Sequence, residues 1–384
     1  MTRVRTFAAA VVASSALSCA VAAWAAGDAS RGTTLYHVTY ACTDCHVASP
    51  KPGDIVASGG SVSGLTSAIQ SVPEMRSRFL STLGQSATDL ADVAAYIASV
   101  TSSVIAGPDL DQHGFTGSWY EPATSGQGIE VEFFPDMAAP GTALVAGAWF
   151  TYDVAPAGGD DRQRWYTFIG DARRGAASVP VTIYRNVGGN FDALPTTSST
   201  TVGSGTLSFT DCTNGTFAYT FTDGRTGSIP VTRITPNVTC AANGTPGTSA
   251  DFAFSGNWYD PAKSGQGFVF EVNPVAPVFF FTWYTYAPAG QAAGVAGQRW
   301  FTGQATYTPG SRTITATLYE TTGGVFDQPT TPPPSTDPVG TATVTLASCT
   351  SAQLNYAFTA GGNAGRSGTI ALSRVGPVPA GCGP

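Results

Sequence analysis

From about residue 113 onward the chain alternates apolar and polar residues in short runs. Ile129-Glu-Val-Glu-Phe133, Val181-Thr-Ile-Tyr184, Thr206-Leu-Ser-Phe209 and Thr216-Phe-Ala-Tyr-Thr-Phe221 keep a period of two and are bounded by Gly, Pro, Asn or Asp. That pattern predicts antiparallel strands with one face turned to a core. The same runs return at 268–272, 313–319, 341–346 and 354–358. Before residue 104 the spacing changes. Leu65, Ile69 and Val72 share a helical face until Pro73, and Leu90, Val93, Ala94 and Ile97 recur at helical spacing. An opening helix, with Asp28 or Ser30 as its cap, runs through Leu35 to Tyr40.

The β-region is an internal duplication. Gly117-Ser-Trp-Tyr-Glu-Pro-Ala-Thr-Ser-Gly-Gln-Gly128 recurs as Gly256-Asn-Trp-Tyr-Asp-Pro-Ala-Lys-Ser-Gly-Gln-Gly267. Trp149-Phe-Thr-Tyr152 recurs as Trp283-Tyr-Thr-Tyr286, and Gln163-Arg-Trp165 as Gln298-Arg-Trp300. Gly188-Gly-Asn-Phe-Asp192 recurs as Gly323-Gly-Val-Phe-Asp327. A repeat this long, with seven or eight short strands, predicts a small barrel or a sandwich per copy. Glu132 with Glu271, Asp192 with Asp327 and Arg164 with Arg299 also recur. Repeated charges of this kind suit ligand contacts, loop hydrogen bonds or surface pairs equally. The recurring tryptophans read first as core packing and second as an aromatic platform for a sugar or peptide. Ser125-Gly-Gln-Gly128 lacks a lysine and a following helix, which argues against a phosphate loop.

The start of the chain reads as an export signal over 1–25. Met1-Thr-Arg-Val-Arg5 is basic, 7–23 is small and apolar, and Ala23-Trp-Ala25 offers small residues for cleavage. Cys19 raises a lipid-anchor alternative, which Ala16-Leu-Ser18 before it fits poorly. No segment has the roughly 20 apolar residues of a spanning helix. A periplasmic or secreted location follows as an expectation.

Just beyond that signal stands Cys42-Thr-Asp-Cys45-His46. Two cysteines at this spacing can each add to a vinyl group of one haem, and the adjacent histidine is then placed to ligate iron. Zinc and thioredoxin-like readings lack a second ligand pair or a strand-to-helix context. One covalent haem c is therefore the expected cofactor, on Cys42 and Cys45, with His46 as proximal ligand. Met75, after Val72-Pro-Glu74, is the expected distal ligand, and His37 is its rival. His113, in the connection to the repeats, reads as a surface residue.

These residues carry a resemblance. Gly27-Asp-Ala29, Gly32, Tyr36, the Cys42–His46 motif, Met75 and Asp92-Val-Ala-Ala-Tyr96-Ile97 resemble a class I, monohaem cytochrome c over about a fifth of the chain. The resemblance implies a crossing of first and last helices at Gly32, Tyr36 and Tyr96, and electron transfer to a redox partner protein. The Gly-x-Trp-Tyr and Ser-Gly-Gln-Gly wording of the repeats resembles exported bacterial β-modules of undefined function, and it implies no site.

Seven cysteines fit this scheme: Cys19 in the signal, two on haem, and four left in an oxidising space. Four allow three pairings, and the repeat favours Cys212–Cys240 and Cys349–Cys382. Closing loops of about 30 residues contributes roughly 3–4 kcal/mol each on a chain-entropy view. Charged residues are only 11% and the net charge is −7, which disfavours nucleic acid and anionic membranes as partners. The resulting expectation is multidomain: signal peptide 1–25, a small all-α cytochrome c domain over 26–103, a linker at 104–112, and two all-β repeat domains, each a barrel or sandwich, at 113–245 and 246–384. The function expected is electron carriage rather than catalysis, with the repeats docking or binding a glycan, polymer or envelope component. The alternatives are a haem-dependent oxidation of a ligand held by the repeats, and adhesion with an accessory haem.

Overall fold

The structure is a computed structural model that describes residues 27–44, 46, 60–101, 108–156, 158–195, 197–242 and 245–383. The chain divides into two units, Met1–Ser103 and Val104–Pro384. The predicted signal peptide lies outside the described residues.

The first unit contains helices α1 (Ala29–Thr34), α2 (Val62–Ser71), α3 (Pro73–Phe79) and α4 (Ala87–Thr101). Asp28 caps α1 by accepting from the amides of Ser30 and Arg31, and Ser61 caps α2 through Gly64. Pro73 sits in the first turn of α3, where its missing N–H leaves no partner wanting. α1 and α4 touch closely because Gly32 has no Cβ: one placed there would stand 1.9 Å from the carbonyl oxygen of Asp92. Arg31 bonds both Asp89 and Asp92 across the same contact. Leu35, Tyr36, Leu65, Ile69, Phe79, Leu83, Leu90, Val93 and Ile97 form one buried cluster.

This corrects the expectation of a cytochrome c domain. The described residues of this unit form only a few short helices and no distinct all-α cytochrome fold. Among the described residues no group of three or more His, Cys, Asp and Glu side chains gathers as a metal site. The physical reason for the misreading is that helical spacing reports which residues turn inward along one helix. It does not specify how separate helices assemble.

The second unit is made of sixteen strands. The first eight are β1 (Gly117–Tyr120), β2 (Gly128–Ala139), β3 (Thr142–Tyr152), β4 (Gln163–Arg173), β5 (Ser178–Val187), β6 (Ser198–Phe209), β7 (Asn214–Phe221) and β8 (Thr226–Arg233). The second eight are β9 (Gly256–Tyr259), β10 (Gly267–Asn273), β11 (Val278–Tyr286), β12 (Gln298–Thr306), β13 (Thr313–Thr322), β14 (Ser335–Leu346), β15 (Ser351–Phe358) and β16 (Ser367–Arg374). Each set runs up and down in chain order and closes into a barrel. Closure is made by Trp119 opposite Arg233 and by Trp258 opposite Arg374. The choice between barrel and sandwich is thereby decided, since every strand has two neighbours and no edge remains.

Alternation explains each barrel. In β15, Ala352, Leu354, Tyr356 and Phe358 point inward while Ser351, Gln353, Asn355 and Ala357 face out. β7 does the same with Phe217, Tyr219 and Phe221. β5/β6 and β13/β14 share a register shift at the equivalent places, Ile183/Tyr184 and Leu318/Tyr319. Such a shift bends a strand pair, here just before the loop that leaves the barrel. Disulfides Cys212–Cys240 and Cys349–Cys382 tie the end of each repeat to its β6–β7 or β14–β15 turn.

The two repeats form two barrels that lie within one compact unit, and they exchange loops. Phe326, from the second repeat, belongs to the core of the first barrel, and Phe191, from the first repeat, to the core of the second.

Candidate functional site in the inter-barrel seam

Almost every motif that repeats in the sequence meets its counterpart's barrel. Gln127 donates to the carbonyls of Val325 and Gln328, and its Oε1 accepts from the amide of Asp327. Gln266 does the same for Asn190, Ala193 and Asp192. Tyr219 donates to Asp327 and Tyr356 to Asp192, so each aspartate is held by the other repeat's barrel. Gly188 and Gly323 have φ of +90° and +86°, which side-chained residues rarely adopt. Gly189 and Gly324 are needed for a different reason: a Cβ there would stand 2.3 and 2.0 Å from the rings of Tyr286 and Tyr152 across the seam.

The Gln-Arg-Trp motifs cross-link the middle of the seam. Gln163 donates to the carbonyls of Trp300 and Thr321, and Gln298 to those of Trp165 and Asn186. The indole of Trp165 donates to Thr285 O at 3.1 Å and that of Trp300 to Thr151 O at 3.3 Å. The neighbouring arginines serve loops: Arg164 pairs with Asp153, and Arg299 pairs with Asp160 of the first repeat at 3.0 Å. All six tryptophans of the repeats are buried, so none forms an exposed platform.

Below this layer lies a buried charge cluster. Glu132 accepts from the backbone and side-chain N–H groups of Asn257 and pairs with Arg374 at 3.0 Å. Glu271 accepts from the amide of Ser118 at 2.9 Å and from the Thr235 hydroxyl, with Arg233 beside it. Arg233 is anchored on the carbonyls of Cys212, Thr116 and Gly114, and Arg374 on those of Cys349, Ser255 and Ala253. Each guanidinium also covers an indole, Trp119 at 4.5 Å and Trp258 at 4.9 Å. Burial pushes the Glu132 carboxyl up to about 7, against the pull of Arg374 and Asn257. Of the readings left open for these recurring charges, surface pairing does not hold for the two glutamates, which are fully buried.

Glu130 breaks the symmetry. It is 3% exposed, and its oxygens accept from Ser118 Oγ at 2.9 Å and Thr282 Oγ1 at 3.0 Å. Burial, and secondarily the nearby Glu271, raises it well above the usual carboxylate range. Its equivalent in the second repeat is Val269. Glu130 and Thr282 line a cleft of about 540 Å³ between the barrels, together with Phe150, Phe280, Trp300 and Tyr319. Gln304, Thr321 and Thr336 supply polar groups on its wall and rim. Reading the repeats for likeness missed this site. The signal was in their differences, above all Glu130 against Val269.

The residues expected around a haem are placed as follows. Cys42 is buried in the Cys42–Asp44 turn, and the amide of His46 donates to its carbonyl at 3.0 Å. Met75, on α3, is half-buried and packs against the helical cluster. Cys45 lies outside the described residues. His37 Nε2 shares a hydrogen bond of 2.9 Å with the Tyr96 hydroxyl. His113, expected at the surface, instead has Nδ1 near Phe133 O at 3.3 Å and an Nε2 shielded from solvent, and burial pushes it down to about 4.

The chain matches no family model and no curated protein. Among solved structures it is similar to the Aeromonas veronii immune modulator A, at 12% identity and a TM-score of 0.18. That match spans 65% of this chain and 87% of the other, and a likeness so low carries no argument. The mostly β structure, without a distinct all-α cytochrome domain among the described residues, overturns the assignment to class I cytochromes c and the electron-carrier role drawn from it. The likeness of the repeats to exported modules has no family match. Among the described residues, no helix is long and apolar enough to cross a membrane.

Proposed function

We propose that the C-terminal unit is a binding module whose site is the cleft between its two barrels. The observation that carries this is the cleft itself: about 540 Å³, aromatic walls and a few convergent polar groups, within the range of small-ligand sites. The exchanged loops tie the two barrels together through buried hydrogen bonds and the Phe191 and Phe326 rings, which supports a pre-formed site. Pre-organisation of that kind lowers the entropic cost of binding. The two disulfides fit an oxidising compartment, and export through the 1–25 signal belongs to this reading.

The test is a ligand screen by thermal shift on the full chain, repeated with Thr336→Trp, which places an indole at the exposed rim. At least one compound should raise the melting temperature of the native protein and not of the variant. A ligand whose shift survives Thr336→Trp binds elsewhere and removes this reading.

A second proposal concerns the cofactor and stands apart from any family. The hydrogen bond from His46 to Cys42 sets both ends of the motif on one turn, which favours covalent haem c on Cys42 and Cys45 with His46 and Met75 as ligands. Such a group would supply a one-electron centre. The described residues would hold it through a thioether at Cys42 and through the imidazole and thioether of His46 and Met75.

A further inference from the structure

In the buried cluster beneath the Gln-Arg-Trp layer, carboxyl groups outnumber guanidiniums. Three carboxyl groups, Glu130, Glu132 and Glu271, face two guanidiniums, Arg233 and Arg374. Arg374 is committed to Glu132, and Arg233 lies beside Glu271. Among the described residues, the partners of the Glu130 carboxyl are two hydroxyls, from Ser118 on β1 and Thr282 on β11, and a like charge lies near it, Glu271 on β10. A buried carboxyl is retained against its desolvation cost when something pairs with it. Glu130, which has no cationic partner among the described residues, lines the cleft together with Phe150, Phe280, Trp300 and Tyr319. Aromatic rings and a carboxyl lining one cleft are a combination that suits an organic cation.

The pseudo-equivalent place on the other side of the seam is closed. Register pairs Gly128 with Phe150 and Gly267 with Tyr284, so Tyr284 takes the place of Phe150. The Tyr284 hydroxyl reaches to 2.8 Å from where a Cβ of Gly267 would be, and its ring lies 5.2 Å from Trp165. Val269 there removes the carboxyl, and Ala148 takes the place of Thr282. One side has therefore lost both the space and the charge, and the other has kept both.

We propose that the cleft binds a small organic ammonium ion, one per chain, with Glu130 as its counter-charge and Phe150, Phe280, Trp300 and Tyr319 as its aromatic walls. The proposal rests on the cleft being a ligand site. In the empty protein burial, and secondarily Glu271, favours the protonated form of Glu130. When the cation enters, Glu130 ionises and one proton passes to solvent, so the charge inside the seam stays balanced.

The probe pair is choline and its uncharged carbon isostere, in which a carbon replaces the quaternary nitrogen. Both are titrated calorimetrically into the full chain, in two buffers of different ionisation heat at the same pH. Choline should bind at one site with release of a proton, at least tenfold more tightly than the isostere, and Glu130→Gln should abolish that preference. Because Gln is nearly isosteric and keeps the Ser118 and Thr282 contacts, its fold is checked by an unchanged melting temperature. Equal binding of both probes, indifferent to Glu130→Gln and blocked by Thr336→Trp, would overturn the cation assignment and leave the cleft as a site. Binding of neither probe would overturn the cation assignment too, and the thermal-shift screen then judges the cleft separately.

Discussion

The ring of Phe326 lies 5.0 Å from that of Trp149, although the two residues belong to different repeats. Phe326 also meets Tyr219 at 5.8 Å and Phe221 at 5.9 Å, so it fills the first barrel's end with a residue the first repeat does not supply. Phe191 repeats the relationship with Trp283 at 5.1 Å, and with Tyr356 and Phe358. Each barrel is completed by the other.

Truncating either plug should therefore damage the barrel that receives it. Phe326→Ala and Phe191→Ala should each lower stability by about 3–5 kcal/mol, as large core truncations do. Urea unfolding followed by tryptophan fluorescence checks this. A loss below about 1 kcal/mol would show that the exchanged loops are ornaments on barrels already complete.

Exchange also predicts reassociation. Fragments 108–245 and 246–384, each oxidised to form its own disulfide, should be poorly folded alone and should combine one-to-one on mixing. Light scattering and recovery of β-sheet signal give the answer. Two monomeric, fully folded fragments that ignore each other would refute the exchange.

The ion pair of Glu132 with Arg374 invites a double-mutant cycle. Arg374→Met leaves a buried carboxyl and also strips donors from Cys349, Ser255 and Ala253, so it should cost about 3–5 kcal/mol. Glu132→Gln keeps the Asn257 contacts in part and should cost less. The double variant should be less destabilised than the sum of the singles, by roughly 1–3 kcal/mol. Simple additivity would mean that the two charges are not coupled.

Stability should respond to pH in two opposed ways. Glu132 has a folded value raised to about 7, so its contribution is complete below the ordinary glutamate range and is lost as pH rises through 7. His113 has a folded value lowered to about 4, so its contribution is present above the ordinary histidine value and is lost as pH falls toward 4. Between about pH 4.5 and 6.5 the trends partly cancel. His113→Phe, which copies Phe252 at the matching turn, removes only the second. Its urea midpoint should then fall monotonically as pH rises from 5 to about 8. A midpoint that still drops on the acid side of pH 6 would show that His113 is not the group responsible.

Haem attachment is decided chemically. Protein exported from a host with c-type maturation should keep haem after acid–acetone extraction and give the two-thioether pyridine haemochrome spectrum. Cys42→Ser should shift that spectrum to the single-thioether form. A wild-type protein free of covalent haem ends the cofactor proposal.

Much of this was legible in the residues. The duplication, the strand runs such as Ala352 to Phe358, and the helical spacing of Leu90, Val93 and Ile97 follow from local periodicity. Other features were not. In β2 the pattern Ile129-Glu-Val-Glu-Phe133 predicts polar residues facing water, yet Glu130 and Glu132 are as buried as their neighbours. Alternation says that two faces differ, not that either meets solvent, and here the second face meets another barrel.

By itself the sequence determined the strands, their inward faces, the two repeats and a motif with the spacing for haem. Those properties are set by neighbours along the chain. Only the tertiary structure decided that the barrels close, that Phe191 and Phe326 cross between them, and that Gln127, Gln163 and Glu132 serve the seam. It also decided that one of two equivalent places stays open beside Glu130 while Tyr284 fills the other. Each of these depends on residues more than a hundred positions apart, and a period of two carries no information about which distant surface will cover a face.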